Sequence, residues 1–146
     1  MLLTCATWQT LLDQAALDML LPLCEEKDMS IVVGAPFASG LLVVGPTDGA
    51  TYMYEPASEE ILEKTRRIQA VCERFGASLP AAALQFPLGH PRVSSVIPGA
   101  RSPAEVEANV EAMNEKIDPG LWAALREEGL IRDDAPTPDG AGSSSL

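Results

Sequence analysis

Val96-Ile97-Pro98-Gly99-Ala100-Arg101-Ser102-Pro103-Ala104-Glu105-Val106-Glu107-Ala108-Asn109 is the stretch that decides the fold. It reads as a buried β-strand running into a glycine turn and then a capped helix. Ser102 is placed as N-cap, Pro103 at the first helical position and Glu105 three residues after the cap. That spacing is a capping box, and proline is tolerated where its missing N–H would have no helical partner. The unpaired backbone N–H groups of such a helix start attract anions, and Arg101 sets a cation beside them. One helical unit upstream, Ile31-Val32-Val33-Gly34-Ala35-Pro36-Phe37-Ala38-Ser39-Gly40-Leu41-Leu42 repeats the strand and glycine-turn pattern. Two consecutive strand–loop–helix units with phosphate-capable loops point to the closing end of a (β/α)8 TIM barrel.

Working outward, residues 1–6 form an apolar run that reads as a strand, with a loop over 7–13. Leu17, Leu20, Leu21 and Cys24 recur at helical spacing. Pro22 lies inside that pattern, so the helix either kinks or starts there. Residues 31–33 are β-branched and apolar throughout, as in parallel strands buried on both faces. A long Gly-, Pro- and Thr-rich loop covers 36–56; loops of that length are usually functional or mobile. Ser58 with Glu59 and Glu60 opens a helix whose inner face carries Ile61, Thr65, Ile68, Cys72 and Phe75, with Gly76 as its terminator. Ser78-Leu79-Pro80 opens another, to about Leu88, and His90-Pro91 leads into a strand over Val93–Ile97. The helix after Ser102 is expected to turn Val106, Val110, Met113 and Ile117 inward. Asp118-Pro119 caps a last helix containing Leu121, Trp122 and Leu125.

The β–α alternation predicts a parallel α/β architecture over residues 1–132. From Asp133 the composition is Asp, Pro, Gly and Ser, so 133–146 is expected to be a disordered tail. At 146 residues the chain can build a core, yet it falls short of the ~250 residues of a full barrel. The expectation is a C-terminal portion, about strands six to eight with their helices, truncated within its first strand.

Composition excludes several classes. The net charge is −11, which argues against nucleic acid or an anionic membrane as partner. A hydrophobic content of 47% argues against a disordered chain. No apolar run approaches the ~18 residues of a membrane span. Cys5, Cys24 and Cys72 are widely spaced and odd in number, which suits reduced thiols and a cytoplasmic protein. One histidine and scattered cysteines supply no metal-ligand spacing.

The order of several motifs resembles the aldo/keto reductases. Thr10-Leu11-Leu12-Asp13-Gln14 and Leu20-Leu21-Pro22-Leu23-Cys24 look like the end of strand six and helix six. Pro36-Phe37-Ala38-Ser39-Gly40-Leu41-Leu42 looks like the loop after strand seven. Val96 to Asn109 looks like strand eight and the start of helix eight. The closing Glu128-Gly129-Leu130-Ile131 and Asp134-Ala135-Pro136-Thr137-Pro138 are similar to the branch of D-threo-aldose, L-fucose and L-galactose dehydrogenases and pyridoxal 4-dehydrogenase.

The resemblance implies an NAD(P)-dependent oxidoreductase acting on an aldehyde, ketone or sugar hemiacetal, with NADP or NAD as cofactor. It places Ala35, Phe37, Ser39 and Leu41 at the pyrophosphate. It places Gly99, Ala100, Arg101 and Ser102 at the adenosine phosphate, with Arg101 near the ribose 2′ position. Glu105 and Asn109 fall at the adenosine end. Gly34 stands where many relatives carry an aromatic ring against the nicotinamide.

The family's Asp, Tyr, Lys and His catalytic set comes from the first half of the barrel, so no catalytic residue carries over. Tyr52, Tyr54 and His90 do not match it. Read by itself, Arg101 is either a solvated loop arginine or a phosphate ligand. Trp8 either lines a substrate pocket or packs under a loop, and Asp13 is a helix cap. The other reading is a non-catalytic half-barrel that binds nucleotide or pairs with another chain. Its open strand edges invite self-association.

Overall fold

The computed structural model describes residues 9–138 and, for residues 2–5, the backbone alone. Three parallel strands form the sheet, in the order β1 (Leu2–Cys5), β2 (Ser30–Gly34), β5 (Val93–Ile97). Leu3 pairs with Ile31, Val33 with Val96 and Gly34 with Ile97, and the β2–β5 register shifts between Ile31 and Val32. Parallel neighbours need crossover connections, and helices supply both.

The first crossover is a single 3-10 turn, Ala15–Leu17, followed by α1 (Leu20–Glu26). Pro22 lies in the first turn of α1, where no i−4 bond is lost; the helix starts there rather than kinking. Asp13 acts as a local cap, its Oδ1 accepting from Ala15 N at 2.9 Å.

The second crossover is longer. It contains α2 (Leu41–Val44), the hairpin β3 (Thr51–Tyr52) and β4 (Glu55–Pro56), then α3 (Glu59–Arg74), α4 (Leu79–Gln85) and a 3-10 turn, Phe86–Gly89. The long loop read over 36–56 therefore carries a short helix and a hairpin of its own. Ser58 Oγ accepts from Ile61 N, and Ser78 Oγ from Ala81 N, so both predicted N-caps operate. The inner face of α3 buries Thr65, Ile68 and Cys72 as expected, and Val71 with them. Gly76 ends the segment at φ +66°. Pro87 carries no N–H, and the last turn before His90 tightens to 3-10 form.

Phe86 meets Trp122 of α6 (Gly120–Glu127) with ring centroids 6.1 Å apart, inside the main core formed by α2, α3, α4 and α6. A smaller cluster of Ala16, Leu21, Cys24, Ile31, Val33 and Val93 packs on the sheet. Cys24 and Cys72 are buried free thiols. Burial pushes the Cys72 thiol up to about 12, so it stays protonated at neutral pH and acts as a packing group. No helix of the described residues is long and apolar enough to cross a membrane.

Three expectations are corrected. The strand Val93–Ile97 is not buried throughout: Ser94 and Ser95 are exposed and Ile97 is 56% exposed, because no described strand pairs with its far edge. In α5 (Pro103–Asn114) the inward residue is Ala112, while Val106 and Val110 face out at 51% and 56% exposure. The cause is the contact with α4. Gln85 Nε2 donates to the carbonyls of Ala112 and Glu115 at 3.0 and 2.8 Å, which turns that side of α5 inward. Met113 and Ile117 are only half-buried.

The third correction concerns the tail. Residues 133–138 dock on the body, with Ala135 and Thr137 buried. Arg126 Nη2 donates to Ala135 O at 2.9 Å and to Thr137 Oγ1 at 2.8 Å, and Arg132 N donates to Gln14 Oε1. Residues 139–146 lie outside the description.

This docking depends on Gly89. A Cβ there would stand 2.4 Å from the Thr137 carbonyl carbon, so only hydrogen fits between the two backbones. Gly89→Ala should lower stability by about 1–3 kcal/mol, as overpacking does, measured as a drop in the urea midpoint. An unchanged midpoint would mean that the C-terminal segment is not held there.

Candidate functional site

Gly34 and Ile97 are register partners at the ends of β2 and β5, so the loops that follow leave the sheet side by side. In parallel α/β sheets this carboxyl end of the strands is where ligands bind. After β2, Ala35, Ala38, Ser39 and Gly40 all adopt positive φ (+49°, +49°, +60° and +90°). For the three non-glycines this costs about 1–3 kcal/mol each and is found chiefly at ligand clamps and switches. The amides of Ala38, Gly40, Leu41 and Leu42 close local turns onto Ala35 O, Phe37 O and Ala38 O. The amides of Phe37 and Ser39 have no acceptor among the described residues. Of the four residues expected here, Ala35, Phe37 and Ser39 thus have amides with no acceptor among the described residues. Leu41 is buried and its amide is engaged in opening α2.

Ser39 is also tied to the hairpin. Its Oγ accepts from Tyr54 N at 3.3 Å. Met53 and Tyr54 sit at φ +51° and +68°, the left-handed pair of a tight two-residue hairpin turn. The Tyr54 side chain is exposed. Tyr52 packs against the core, and burial, with the Asp13 charge nearby, raises its phenol. Lys64 Nζ donates to Leu12 O at 3.1 Å, and burial lowers its ammonium against the opposing pull of Asp13 and Glu60. These contacts tether α3 to the segment after β1.

After β5, Ser102 Oγ accepts from Glu105 N at 3.2 Å as the expected N-cap. The Glu105 carboxylate reaches one residue further back than a standard capping box. Its Oε2 accepts from Arg101 N at 2.6 Å, and its Oε1 lies 3.3 Å from Arg101 Nη2. The Arg101 N–H, and then its guanidinium, hold the Glu105 carboxyl below the usual range. The amides of Gly99, Ala100 and Ser102 have no acceptor among the described residues, and the space beside Gly99 Cα is open. Asn109 Nδ2 donates to Gly99 O at 3.4 Å.

A groove of about 600 Å³ lies between the loop after β2, the start of α4 and the body of α5. Phe37 and Val43 form one wall and Ala108, Asn109 and Ala112 the other, with Ser78, Glu111 and Glu115 at its rim. Phe37 and Asn109 thus line the same groove. Arg101, Ser102 and Glu105 form a separate cluster at the start of α5. Val43, Ser78 and Ala112 were not singled out in the sequence, because nothing local marks a residue that borders a groove only after helix packing. Gln9 is a further surprise: it is buried after β1, and neither its Nε2 nor its Oε1 has a partner among the described residues. Trp8 lies outside the described residues.

His90 is a turn residue at the opposite end of β5. Its Nδ1 accepts from Arg92 N at 3.1 Å, and Nε2 stands 3.8 Å from Glu25 Oε1. No group of three metal-ligating side chains occurs among the described residues.

A model of the aldo/keto reductase family matches residues 4–128. The chain belongs to the aldo/keto reductase family. It is 38% identical over 122 residues to a pyridoxal 4-dehydrogenase of Microbacterium luteolum, covering 84% of this chain and 36% of that protein. It is 41% identical over 130 residues to a D-threo-aldose 1-dehydrogenase of a Pseudomonas species, covering 88% and 38%. An aldo-keto reductase from Bacillus halodurans, solved in its holo form, superposes with a TM-score of 0.62 at 27% identity, covering 89% of this chain and 43% of that one. The chain therefore spans about two fifths of the length of the relatives it matches, and its three-stranded open sheet is part of a TIM barrel.

His90 yields a pH prediction. Burial lowers its pKa from 6.5, outweighing Glu25, so the folded state resists protonation that the unfolded state accepts. The resulting stability is complete above 6.5 and is lost as pH falls through the lowered folded value. The urea midpoint should drop between about pH 7.5 and 5.5, and His90→Asn, which keeps an acceptor for Arg92 N, should flatten that drop. An equal drop in both proteins would assign the dependence to other groups.

Proposed function

We propose that this chain is the dinucleotide-binding part of an NAD(P)-dependent oxidoreductase of aldehydes, ketones or sugar hemiacetals. The observation that carries the reading is the pairing of Gly34 with Ile97, which sets two loops with free amides side by side, with Phe37 of the first also lining the groove against α5. The residues fit such a cofactor. Phe37 N, Ser39 N and the Ser39 hydroxyl would donate to the pyrophosphate; the hydroxyl can do so while still accepting from Tyr54 N. Phe37, Val43 and Asn109 would flank the adenosine. When bound, the nicotinamide supplies or accepts the hydride; the protein binds and orients it. We place the proton donor on strands other than these three, since Tyr54 is exposed at a hairpin tip and Tyr52 is packed in the core. The buried free thiols of Cys24 and Cys72 suit a cytoplasmic setting.

Calorimetric titration of the chain with NAD and NADP tests this reading. We expect saturable binding of at least one cofactor, weakened roughly three- to ten-fold by Asn109→Ala, the value of one hydrogen bond. Aldose turnover by the chain alone should be absent. Failure of both cofactors to bind, or turnover lost on mutating Tyr52 or Tyr54, would overturn it.

A second reading rests on the exposed edge strand β5 and on the outward Val106 and Val110. Open parallel edges and apolar patches favour pairing with another chain. Sedimentation should show self-association that rises with concentration; a monomer at all concentrations would contradict it.

A further inference from the structure

Resting on the proposed oxidoreductase and on the open edge noted above, we propose that β5 and α5 form a docking seam for the rest of a barrel. The partner is a polypeptide that lays a parallel strand along β5 and an apolar face on Val106 and Val110. The self-association expected of the chain alone is the same seam filled by further copies.

Strand edges that face water are blunted by charge, proline or a cover. The sequence of β5, Val93-Ser94-Ser95-Val96-Ile97, holds no charge and no proline. Its register shift against β2 lies at its start, so Ser95, Val96 and Ile97 continue as regular strand. Ser95 and Ile97 are exposed. Among the described residues no strand follows β5 in the chain, and none lies on its far edge.

The helix that follows carries a matching signature. Val106, Val110, Met113 and Ile117 are separated by four, three and four residues, the spacing of a helix face that packs. Gln85 of α4 holds the Ala112 side of α5, and the two valines are left more than half exposed. Neither valine borders the groove, so the cofactor reading gives them no task.

The occupant follows from the barrel. Eight parallel strands close on themselves and leave no edge. The chain holds three parallel strands. It spans 36% of the pyridoxal 4-dehydrogenase and 43% of the Bacillus halodurans reductase. The remaining length of such relatives must carry the other strands, with the helices that cover them. Two copies of this chain do not reach eight strands, and each adds a net charge of −11 that opposes their association.

Co-expression tests the seam. The probe is the portion of the Pseudomonas D-threo-aldose 1-dehydrogenase outside the 130-residue match, produced together with this chain in full. Sedimentation without cofactor should show a one-to-one complex. In that complex, amide deuterium exchange should slow at residues 95–97 and 106–110 relative to the chain alone. Val106→Asp combined with Val110→Asp should weaken the complex about tenfold or more, since two valines lose their burial. Both positions face water in the free chain, so its circular dichroism and its NAD affinity should not change.

Failure to form the complex, association of the chain with itself only, or exchange that slows only elsewhere would overturn the proposal. A complex that forms yet turns over no aldose with NAD or NADP would instead overturn the oxidoreductase reading and leave the seam in place.

Discussion

Among the described residues, β2 alone has a strand on each side, and the rest of the molecule is arranged by that fact. Its Ile31, Val32 and Val33 are buried, because a parallel strand between two neighbours and under crossover helices sees no water on either face. Its last residue pairs with Ile97. That register pairing brings the left-handed loop after β2 and the turn before α5 side by side. The first loop brings free amides, and the second leads into a helix start with a carboxylate and an arginine.

The helices share the main apolar core, and a few directed contacts fix their ends. Ser78 at the start of α4 is gripped by Glu115 just past the end of α5, and Gln85 at the end of α4 reaches back to the same corner. Arg67 and Arg74 of α3 meet Glu128 after α6. The C-terminal segment closes over Gly89 and Arg126 and ties back to Gln14 after β1. Exposed apolar groups remain at Ile97 of β5 and at Val106 and Val110 of α5.

Much of this was legible in the sequence where one residue type has one local use. Ser58, Ser78 and Ser102 read as N-caps because a hydroxyl before a helix can accept from the first-turn amides, and all three do. The β-branched run around Val32 read as a buried parallel strand for equally direct reasons. Misreadings arose where tertiary context decides. The helical spacing of Val106 and Val110 is sound, yet it cannot say which stripe meets α4, and Ala112 with Gln85 took that role. The Asp-Pro-Gly-Ser composition from Asp133 looks unstructured until Arg126 and the bare Cα of Gly89 are seen to dock its first residues. Of the residues that the family resemblance named, Phe37 and Asn109 line one groove, and Ser102 is a helix cap. The engagement of Arg101 by Glu105 was hidden, because a capping box in the sequence gives no hint of the reach to the Arg101 amide.

The central claim is that the two loops after β2 and β5 together bind a nicotinamide dinucleotide. Backbone amide NMR of the isotope-labelled chain, recorded with rising NAD, addresses it most directly. The account requires that the Phe37 and Ser39 amide signals move in parallel with the Asn109 side-chain amide, all following one binding curve. Shifts confined to other surfaces, or no shift at Phe37 and Ser39 while NAD binds, would contradict it.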